Sequence, residues 1–378
     1  MYLIFAIVVV SYAVGTLAIA VGIRRVVTGG PTSPATPDAT PTSVCIIVAA
    51  RNEAAYVDAL MSSLVNQEDP GVPWQVLFID DHSTDQTKDL AHAWQSRMPQ
   101  LQVLTPPRPP SQLLGKLNAL AFAVDVSTAD LIVLTDGNTR VAPQWLRDQV
   151  MSYQTPKVGM VVGTVLPPPS PPGWRARFEA LLDLIAAAQT AGTVGLRRPS
   201  FCSASNLSFR RAALTSVGGY PEMAKQGTGD DTLLLQAIGS AGWDVIHTPL
   251  RDANAVTTNT SASWHALWKQ RVRHLSSLRV HSLTEGLAAL LLRSIDLLLI
   301  GSLLGWFWSD PSWLPWAVWG TKATLDYSAL RTFAGPVGYP IRVHEVVAVQ
   351  PFYAVWIWAT SLAGLLYHPS WKRTYDDA

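Results

Sequence analysis

The sequence predicts an α/β fold: a Rossmann-like, mostly parallel sheet with flanking helices, plus an N-terminal transmembrane helix and a C-terminal transmembrane helical region. Between residues 44 and 136, short apolar runs alternate with segments whose apolar residues recur at helical spacing. This order is typical of parallel sheets with right-handed crossovers. Charged residues make up only 15% of the chain and hydrophobic residues 48%. A soluble domain has about 25% charged residues, so part of this chain is expected to lie in a membrane.

Four strands are expected before residue 137. The first is an unbroken, β-branched run, VCIIVAA, of the kind found in strands buried on both faces of a sheet. The four runs lie at residues 44–50, 74–80, 101–106 and 130–136. A helix is expected after each of the first three, and Ser83 or Thr84 is the expected N-cap of the second helix.

The N-terminal segment is expected to anchor the chain in a membrane. Residues 2–23 carry no charge, and a helix crosses a bilayer with ~20 apolar residues. Arg24 and Arg25 follow and place this end of the helix in the cytoplasm by the positive-inside rule. A cleaved signal peptide is the alternative, but the segment has no basic region before its apolar run. A linker rich in Pro, Thr and Ser extends from there to residue 43.

Apolar sequence returns towards the C-terminus. Residues 283–308 can span a membrane, although Arg293 and Asp296 lie on one face of this helix, where they could pair. Residues 346–367 are a second candidate span, and the segment between, 313–335, is compatible with a span, a re-entrant segment or an interfacial helix. Two crossings return the basic C-terminus to the cytoplasm, so the middle segment is not expected to span fully.

The segment before these helices is amphipathic. Apolar residues from Trp264 to Leu278 recur at helical spacing with basic residues between them. This pattern is compatible with a helix in the headgroup plane, or with a domain helix whose apolar stripe faces the core. The predicted regions are an anchor, a linker, a cytoplasmic α/β domain, this amphipathic helix and a C-terminal membrane region of two or three helices. Their bounds are residues 1–25, 26–43, 44–260, 261–282 and 283–378.

Polar signatures follow three of the predicted strands. They are the segments Ala50–Glu53, Asp80–Asp85 and Thr135–Asn138. An acidic residue after a strand is often only a turn former or helix cap. Ligands of open α/β sheets, however, bind beyond the carboxyl ends of the strands, so three such signatures at one edge predict a shared crevice.

The chemistry of this crevice is set by carboxylates rather than glycines. No glycine-rich phosphate loop follows the first strand, which excludes a P-loop and a dinucleotide fingerprint. Carboxylates can approach a nucleotide diphosphate through a divalent cation with oxygen ligands. The net charge of +1 gives no indication of nucleic-acid binding, and two cysteines form neither a disulfide framework nor a metal cluster.

A series of motifs resembles the membrane-bound family 2 glycosyltransferases with a GT-A fold, which include cellulose synthase, hyaluronan synthase and ceramide glucosyltransferase. The motifs are ARNE, IDDHSTDQT, GKLNAL, TDGNTRVAP, GDDTLL and QRVRH. The C-terminal part from Gln350 is similar to carotenoid glucosyltransferases of the hydroxychlorobactene type. The resemblance implies an inverting enzyme that moves a hexose from a nucleotide sugar, UDP-glucose above all, to a hydroxyl of a membrane lipid such as a carotenoid. It also implies a divalent cation, Mn²⁺ or Mg²⁺, and a cytoplasmic catalytic domain on a bacterial plasma membrane.

The resemblance assigns the donor site residue by residue. Ala50 and Glu53 would border the base and ribose, and Asp80 and Asp81 would lie under the uracil ring and ribose. Lys116 would approach the diphosphate or the base. A solvated lysine at a helix start is the alternative for Lys116.

The D-x-D element of the family corresponds to Asp136-Gly137-Asn138. Asp136 would bind the metal and the donor, with Asn138 as a second ligand. Asn138 offers a carbonyl oxygen but no charge, so the cation is expected to depend more on Asp136 and on the substrate phosphates.

The catalytic assignments lie further along the chain. Asp230 and Asp231 resemble the acidic pair of the family, with Asp231 as the general base. Two carboxylates that favour a helix N-terminus are the alternative.

Gln270 and Arg273 resemble the Q-x-x-R-W motif, in which the arginine neutralises charge on the leaving diphosphate. His274 replaces the tryptophan. Ser205, Asn206 and His274 would face the acceptor. A polysaccharide synthase and a catalytically silent nucleotide-sugar-binding membrane protein are the alternative functions.

Overall fold

The computed structural model describes residues 2–29, 39–108, 115–224, 230–276, 283–308 and 313–366. Within these ranges the chain forms ten strands and thirteen α-helices. The strands are β1 (Val44–Ala50), β2 (Trp74–Asp80), β3 (Leu101–Leu104), β4 (Leu131–Asp136), β5 (Arg140–Val141), β6 (Val158–Val162), β7 (Val165–Leu166), β8 (Leu207–Arg210), β9 (Asp244–His247) and β10 (Val256–Thr257). The helices are α1 (Tyr2–Thr28), α2 (Ala54–Val65), α3 (Thr87–Ala93), α4 (Lys116–Val126), α5 (Trp145–Met151), α6 (Gly173–Gly195), α7 (Arg211–Ser216), α8 (Gly219–Ala224), α9 (Asp230–Ser240), α10 (Trp264–Ser276), α11 (Leu283–Trp308), α12 (Leu314–Ala334) and α13 (Val343–Leu366). Residues 30–38 of the predicted linker lie outside the described residues.

Seven strands form a central sheet in the order β3-β2-β1-β4-β8-β6-β9. β1 pairs in parallel with β2 and β4, and β2 pairs in parallel with β3, which confirms the predicted Rossmann-like half. β8 runs antiparallel to β4 and to β6, so the sheet is mostly rather than wholly parallel. A second, small sheet joins β5, β10 and β7.

The central sheet is buried on both faces. Successive residues of β1 point alternately to the two sides, so that Ile47 belongs to one apolar cluster and Ile46 and Val48 to the other. Helices α4 and α9 cover the first face, and α2 and α5 cover the second. Each large aliphatic side chain buried in this way contributes about 1.5–3 kcal/mol, which is why the unbroken apolar run forms the central strand.

The N-terminal helix α1 packs against α6 of the α/β domain through glycines. A Cβ atom added to Gly22 would lie 2.0 Å from the carbonyl oxygen of Gly192. One added to Gly195 would lie 2.0 Å from the carbonyl oxygen of Gly22. Two helix backbones approach this closely only where small residues meet. The predicted anchor is therefore fastened to the α/β domain by direct backbone packing.

A buried charged cluster joins α1, α11, α12 and α13. Lys322 is 1% exposed, and its Nζ lies 2.7 Å from both Asp326 Oδ2 and Gln350 Oε1. Asp296 Oδ1 of α11 lies 3.6 Å from the same Nζ. Tyr12 of α1 donates a hydrogen bond to Asp326. A buried ammonium group is tolerated only with such partners.

Arg293 and Asp296 contact residues of other helices instead of forming the expected pair. Asp296 faces Lys322, while Arg293 donates a hydrogen bond to Ser361 Oγ at 3.4 Å. The spacing of the two residues along α11 allowed a local pair. The positions of α12 and α13, which the sequence does not show, supply different partners.

Most of the exposed large apolar side chains lie on the terminal helices. They include Val10 and Leu17 of α1, Leu290 of α11 and Leu362 of α13. By length and composition, Phe5–Thr28 and Val343–Leu366 are able to cross a bilayer, and they are the two helices of the described residues that meet this test.

The amphipathic helix α10 lies along α13. The ring centroids of Trp264 and Trp268 lie 5.6 Å and 5.5 Å from that of Trp356. A Cβ atom added to Gly364 would lie 3.0 Å from the carbonyl carbon of Leu275. Part of the apolar stripe of α10 therefore faces another helix, while Trp264 stays 38% exposed. The region bounds given above stay a prediction.

Candidate active site

The three predicted strand ends meet at one edge of the sheet. Ala50 pairs with Asp80 on β2, and Ala49 pairs with Asp136 on β4. Neighbouring strands lie about 4.8 Å apart, so Asp80 and Asp136 flank the end of β1. A Cβ atom added to Gly137 would lie 3.0 Å from Ala50 Cβ and 3.2 Å from Glu53 Cγ. A glycine at position 137 is what allows the two loops to meet.

The loops after β1 and β2 are tied together by hydrogen bonds. The backbone N–H of Asn52 donates to Ser83 Oγ at 3.0 Å, and that of Thr84 donates to Asn52 Oδ1 at 2.8 Å. The backbone N–H of Glu53 donates to Thr87 Oγ1 at 2.8 Å. Asn52 is in the left-handed region at φ 57°, which asparagine tolerates better than most residues.

The predicted N-cap of the helix after β2 is wrong. That helix, α3, begins at Thr87, and Asp85 Oδ1 accepts from the Thr87 backbone N–H at 3.0 Å. Asp85 Oδ2 also accepts from Ala54 N–H at 3.2 Å. Ser83 and Thr84 contact Asn52 instead, because the loop after β1 competes for their groups. Burial raises the pKa of Asp85, but the hydrogen bonds from Thr87 and Ala54 outweigh it and hold that pKa below its usual value.

Asp80 and Asp81 are buried at this edge, with 2% and 5% of their surfaces exposed. The backbone N–H of Ser83 lies 3.3 Å from Asp80 Oδ1, and the backbone N–H of Asp81 donates to the carbonyl of Ala50 at 2.9 Å. The backbone is thus held in a fixed turn that keeps both carboxylates beside the loop after β1.

Asp136 is the centre of the site. Lys116 Nζ, at the start of α4, lies 2.5 Å from Asp136 Oδ1. Ser205 Oγ donates to Asp136 Oδ2. Burial raises the pKa of Asp136, but the charge of Lys116 and the hydrogen bonds from Lys116 and Ser205 outweigh it, and Arg273 adds to their effect. The pKa is lowered as a result, so Asp136 is a carboxylate at neutral pH.

Asp231 lies beside Asp136 across a short turn at residues 203–206. The backbone N–H of Ala204 donates to Asp231 Oδ2 at 3.1 Å, and that of Thr232 donates to Asp231 Oδ1 at 2.9 Å. Because Ser205 contacts Asp136, consecutive residues of one turn hold the two carboxylates. The side chain of Asp230 lies outside the described residues.

The QRVRH motif of helix α10 lies within electrostatic range of Asp136. Burial lowers the pKa of His274 to about 3, and the charges of Arg271 and Arg273 lower it further, while Asp136 raises it. The His274 side chain is exposed to solvent, and with its pKa lowered it is neutral at physiological pH. The charge of Arg273 acts on both His274 and Asp136, so its guanidinium lies within electrostatic range of Asp136.

The motif of α10 is anchored to α6. Arg271 forms an ion pair with Asp183. Ser261 N–H donates to Glu179 Oε2 at 2.8 Å, and Ser261 Oγ lies 3.4 Å from Gln270 Oε1. Sequence reasoning missed Glu179 and Asp183, because acidic residues within a long amphipathic helix look like ordinary surface positions until their partners are known.

Asn206, predicted on the acceptor side, and Asn138, predicted as a metal ligand, both form hydrogen bonds with other parts of the protein. Asn206 is fully buried. Its Oδ1 accepts hydrogen bonds from Trp145 Nε1 at 2.8 Å and from Gln149 Nε2 at 2.7 Å. Its Nδ2 donates to the carbonyl of Thr164 at 2.7 Å. The structure therefore does not bring Asn206 to the crevice. Asn138 is half-buried beside Asp136, and its carbonyl accepts from Asn259 Nδ2 at 2.7 Å.

The site offers few protein side chains that could bind a metal ion. Among the described residues, no group of three or more His, Cys, Asp or Glu side chains is arranged to hold one. Asp136 and Asn138 provide one carboxylate and one amide oxygen, both ordinary ligands for hard cations. These residues fit a divalent cation as a partial set, which the oxygens of a bound diphosphate would have to complete.

The family profile described as Glycosyl transferase family 2 matches residues 45–218. The chain carries a glycosyl transferase family 2 domain. The match begins in β1 and ends beyond β8, so the family 2 domain includes the edge with Asp80 and Asp136. It stops before Asp231 and α10, whose positions in the crevice come from the fold.

Curated relatives support the same family. A β-monoglucosyldiacylglycerol synthase of Nostoc sp. is 30% identical over 235 residues, which are 61% of this chain and 47% of that protein. The enzyme of that name from Synechocystis sp. is 29% identical over 238 residues, which are 61% of this chain and 46% of that protein. The chain thus spans about half the length of the curated relatives it matches.

A solved structure shows that the family 2 domain has the GT-A fold. The mannosyltransferase PcManGT from Pyrobaculum calidifontis, in complex with GDP-Man and Mn²⁺, superposes with a TM-score of 0.57 at 16% identity. The superposition covers 97% of this chain and 99% of that one, so the likeness includes the terminal helices as well as the α/β domain.

Proposed function

We propose that this chain is an inverting glycosyltransferase that moves a hexose, with glucose from UDP-glucose as the leading donor, to a hydroxyl of a membrane lipid. The observation that carries the proposal is that consecutive residues of one turn hold the carboxylates of Asp136 and Asp231 at the carboxyl edge of the sheet, within range of the charge of Arg273. These groups supply the three requirements of the reaction: a donor site, a base and a cation for the leaving group.

The donor would lie across the ends of β1, β2 and β4. Ala50 and Glu53 form one wall, and the buried Asp80 and Asp81 form the floor, where carboxylates can accept hydrogen bonds from base and ribose. Lys116, at the same edge, would meet the diphosphate. In this orientation the nucleotide would lie in the crevice, and the hexose to be transferred would point towards Asp231.

Asp231 would be the general base. It takes the proton from the acceptor hydroxyl as the hydroxyl oxygen attacks the anomeric carbon, from the face opposite the nucleotide. The bond from that carbon to the diphosphate oxygen breaks at the same time, which inverts the anomeric centre. The N–H groups of Ala204 and Thr232 hold the carboxylate in position.

The leaving nucleoside diphosphate gains negative charge in this step. Arg273 and Lys116 lie where they would stabilise it electrostatically. A divalent cation, Mn²⁺ or Mg²⁺, held by Asp136 and Asn138 would neutralise more of the diphosphate charge. Gln270 would support the position of Arg273 from the same turn of α10.

The acceptor side would be formed by Ser205 and His274. A lipid hydroxyl is supported by the apolar terminal helices, by the backbone contact between α1 and α6, and by α10 lying along α13. The curated relatives are named for monoglucosyldiacylglycerol, so a diacylglycerol joins the hydroxylated carotenoids as the acceptor to test. The catalytic domain would then lie on the cytoplasmic face of a bacterial plasma membrane.

The deciding experiment incubates membranes containing the chain with labelled UDP-glucose, UDP-galactose and GDP-mannose. Diacylglycerol and a hydroxylated carotenoid are supplied in separate reactions, and products are identified by mass spectrometry. A β-linked glycolipid formed by the wild-type chain and not by Asp231→Asn supports the proposal. Nucleotide-sugar binding without transfer to any lipid supports a catalytically silent binding protein instead.

A further inference from the structure

Lys116 occupies a position that helix energetics disfavour. It is the first residue of α4, where the helix dipole favours anions over cations. Gly115 before it has φ 58°, a conformation suited to glycine, and turns the chain so that the lysine enters the crevice. The compensating interaction is the ion pair with Asp136, with Nζ 2.5 Å from Oδ1.

The same carboxylate is the principal candidate ligand for a divalent cation. Both of its oxygens are in use, one with Lys116 and the other with the hydroxyl of Ser205. Asn138 adds no negative charge, and Arg273 adds a further positive one. Without a nucleotide, the ammonium group of Lys116 already occupies one oxygen of Asp136, and its charge and that of Arg273 repel a further cation at that carboxylate.

A nucleoside diphosphate would affect both the ammonium group of Lys116 and the binding of the cation. Its oxygens can accept hydrogen bonds from an ammonium group, and they also complete the coordination of a hard cation. The side chains of Lys116 and Asp136 are 22% and 27% exposed, so both are accessible from solvent.

Resting on the proposed function, we propose that Lys116 and a divalent cation compete for the carboxylate of Asp136. The diphosphate of an arriving donor ends the competition, because it draws the ammonium group onto its own oxygens and leaves a carboxylate oxygen for the cation. Lys116 is thus a positioning residue that couples cation binding to donor binding. The free chain binds cation weakly, and the donor-bound chain binds it well.

The test measures the affinity of the full chain in detergent for Mn²⁺, by electron paramagnetic resonance of the free ion, with and without UDP. The wild-type chain is expected to bind Mn²⁺ at least about tenfold more tightly with UDP. In Lys116→Met, Mn²⁺ affinity without UDP rises about tenfold, and the gain on adding UDP shrinks correspondingly, because no ammonium group competes for Asp136 in either state.

Two further variants serve as controls. Lys116→Arg keeps the positive charge and should bind Mn²⁺ as weakly as the wild type without UDP. Lys157→Met removes a lysine that is 68% exposed at the opposite edge of the sheet, and should change neither affinity. Thermal unfolding establishes that each variant is folded.

The proposal is overturned if folded Lys116→Met binds Mn²⁺ without UDP no more tightly than the wild type. Should that variant not fold, equal Mn²⁺ affinity of the wild type with and without bound UDP also overturns it. A wild-type chain that binds no UDP contradicts the proposed function, while the nucleotide-free comparison of wild type and Lys116→Met still decides the competition. The two failures are therefore distinguishable.

Discussion

Asp136 and Asp231 are held by two consecutive residues of one turn. Ser205 donates its hydroxyl to Asp136, and Ala204 donates its backbone N–H to Asp231. The turn is itself anchored by the buried side chain of Asn206. The distance between the donor site and the proposed base is therefore set by a rigid piece of backbone, as electrostatic preorganisation requires.

The base assignment predicts a large loss of transfer in Asp231→Asn. The amide cannot take a proton, and general base catalysis contributes about 10²–10⁴-fold, so turnover is expected to fall by that factor while nucleotide affinity stays near the wild-type value. Product formation and calorimetric titration with UDP measure the two quantities. Asp125→Asn, an exposed residue at the far end of α4, is the matched control. Near-normal turnover of Asp231→Asn would refute the assignment.

The metal assignment predicts that Asp136→Ala loses cation-dependent donor binding. The change removes the one carboxylate of the D-x-D element, and the remaining amide of Asn138 carries no charge. UDP affinity should then be the same with and without Mn²⁺, whereas the wild-type affinity should rise with Mn²⁺. Manganese titrations in which the two proteins respond alike would remove this role from Asp136.

The packing of α1 on α6 predicts that Gly22→Leu destabilises the chain. The added side chain cannot fit beside the carbonyl oxygen of Gly192, and overpacking typically costs about 1–3 kcal/mol. Thermal unfolding in lipid nanodiscs should show a lower midpoint. Gly301→Leu on α11, where a Cβ meets no atom within 4 Å, should leave the midpoint nearly unchanged. Equal midpoints for both variants would show that α1 does not depend on this contact.

The buried cluster around Lys322 predicts a severe effect of Lys322→Met. Asp296 and Asp326 would lose their shared cation, and breaking a buried pair by removing one partner costs about 3–5 kcal/mol. The thermal midpoint should fall, and adding Asp326→Asn should recover part of the loss. Lys269→Met, at an exposed position of α10, is the control. A midpoint equal to that of the control would contradict a stabilising role for the cluster.

Local sequence patterns were sufficient to predict much of the secondary structure of the α/β domain. β1 and β2 match the predicted residues in full, because a strand buried on both faces needs an unbroken apolar run. β4 begins one residue later than predicted and β3 ends at Leu104. The antiparallel strand β8 was not predicted, because Leu207–Arg210 is short and acquires its strand conformation by pairing with β4 and β6.

By itself, the sequence determined the strand–helix order, the edge at which polar groups gather and the apolar character of both termini, since each follows from local periodicity or composition. Only the tertiary structure decided that Lys116 contacts Asp136, that Asn206 supports the turn from within the core, and that Asp296 faces Lys322 instead of Arg293. These contacts join residues that are distant in the sequence or compete for one partner. Their selection depends on which helices and loops pack together, which is a property of the whole fold.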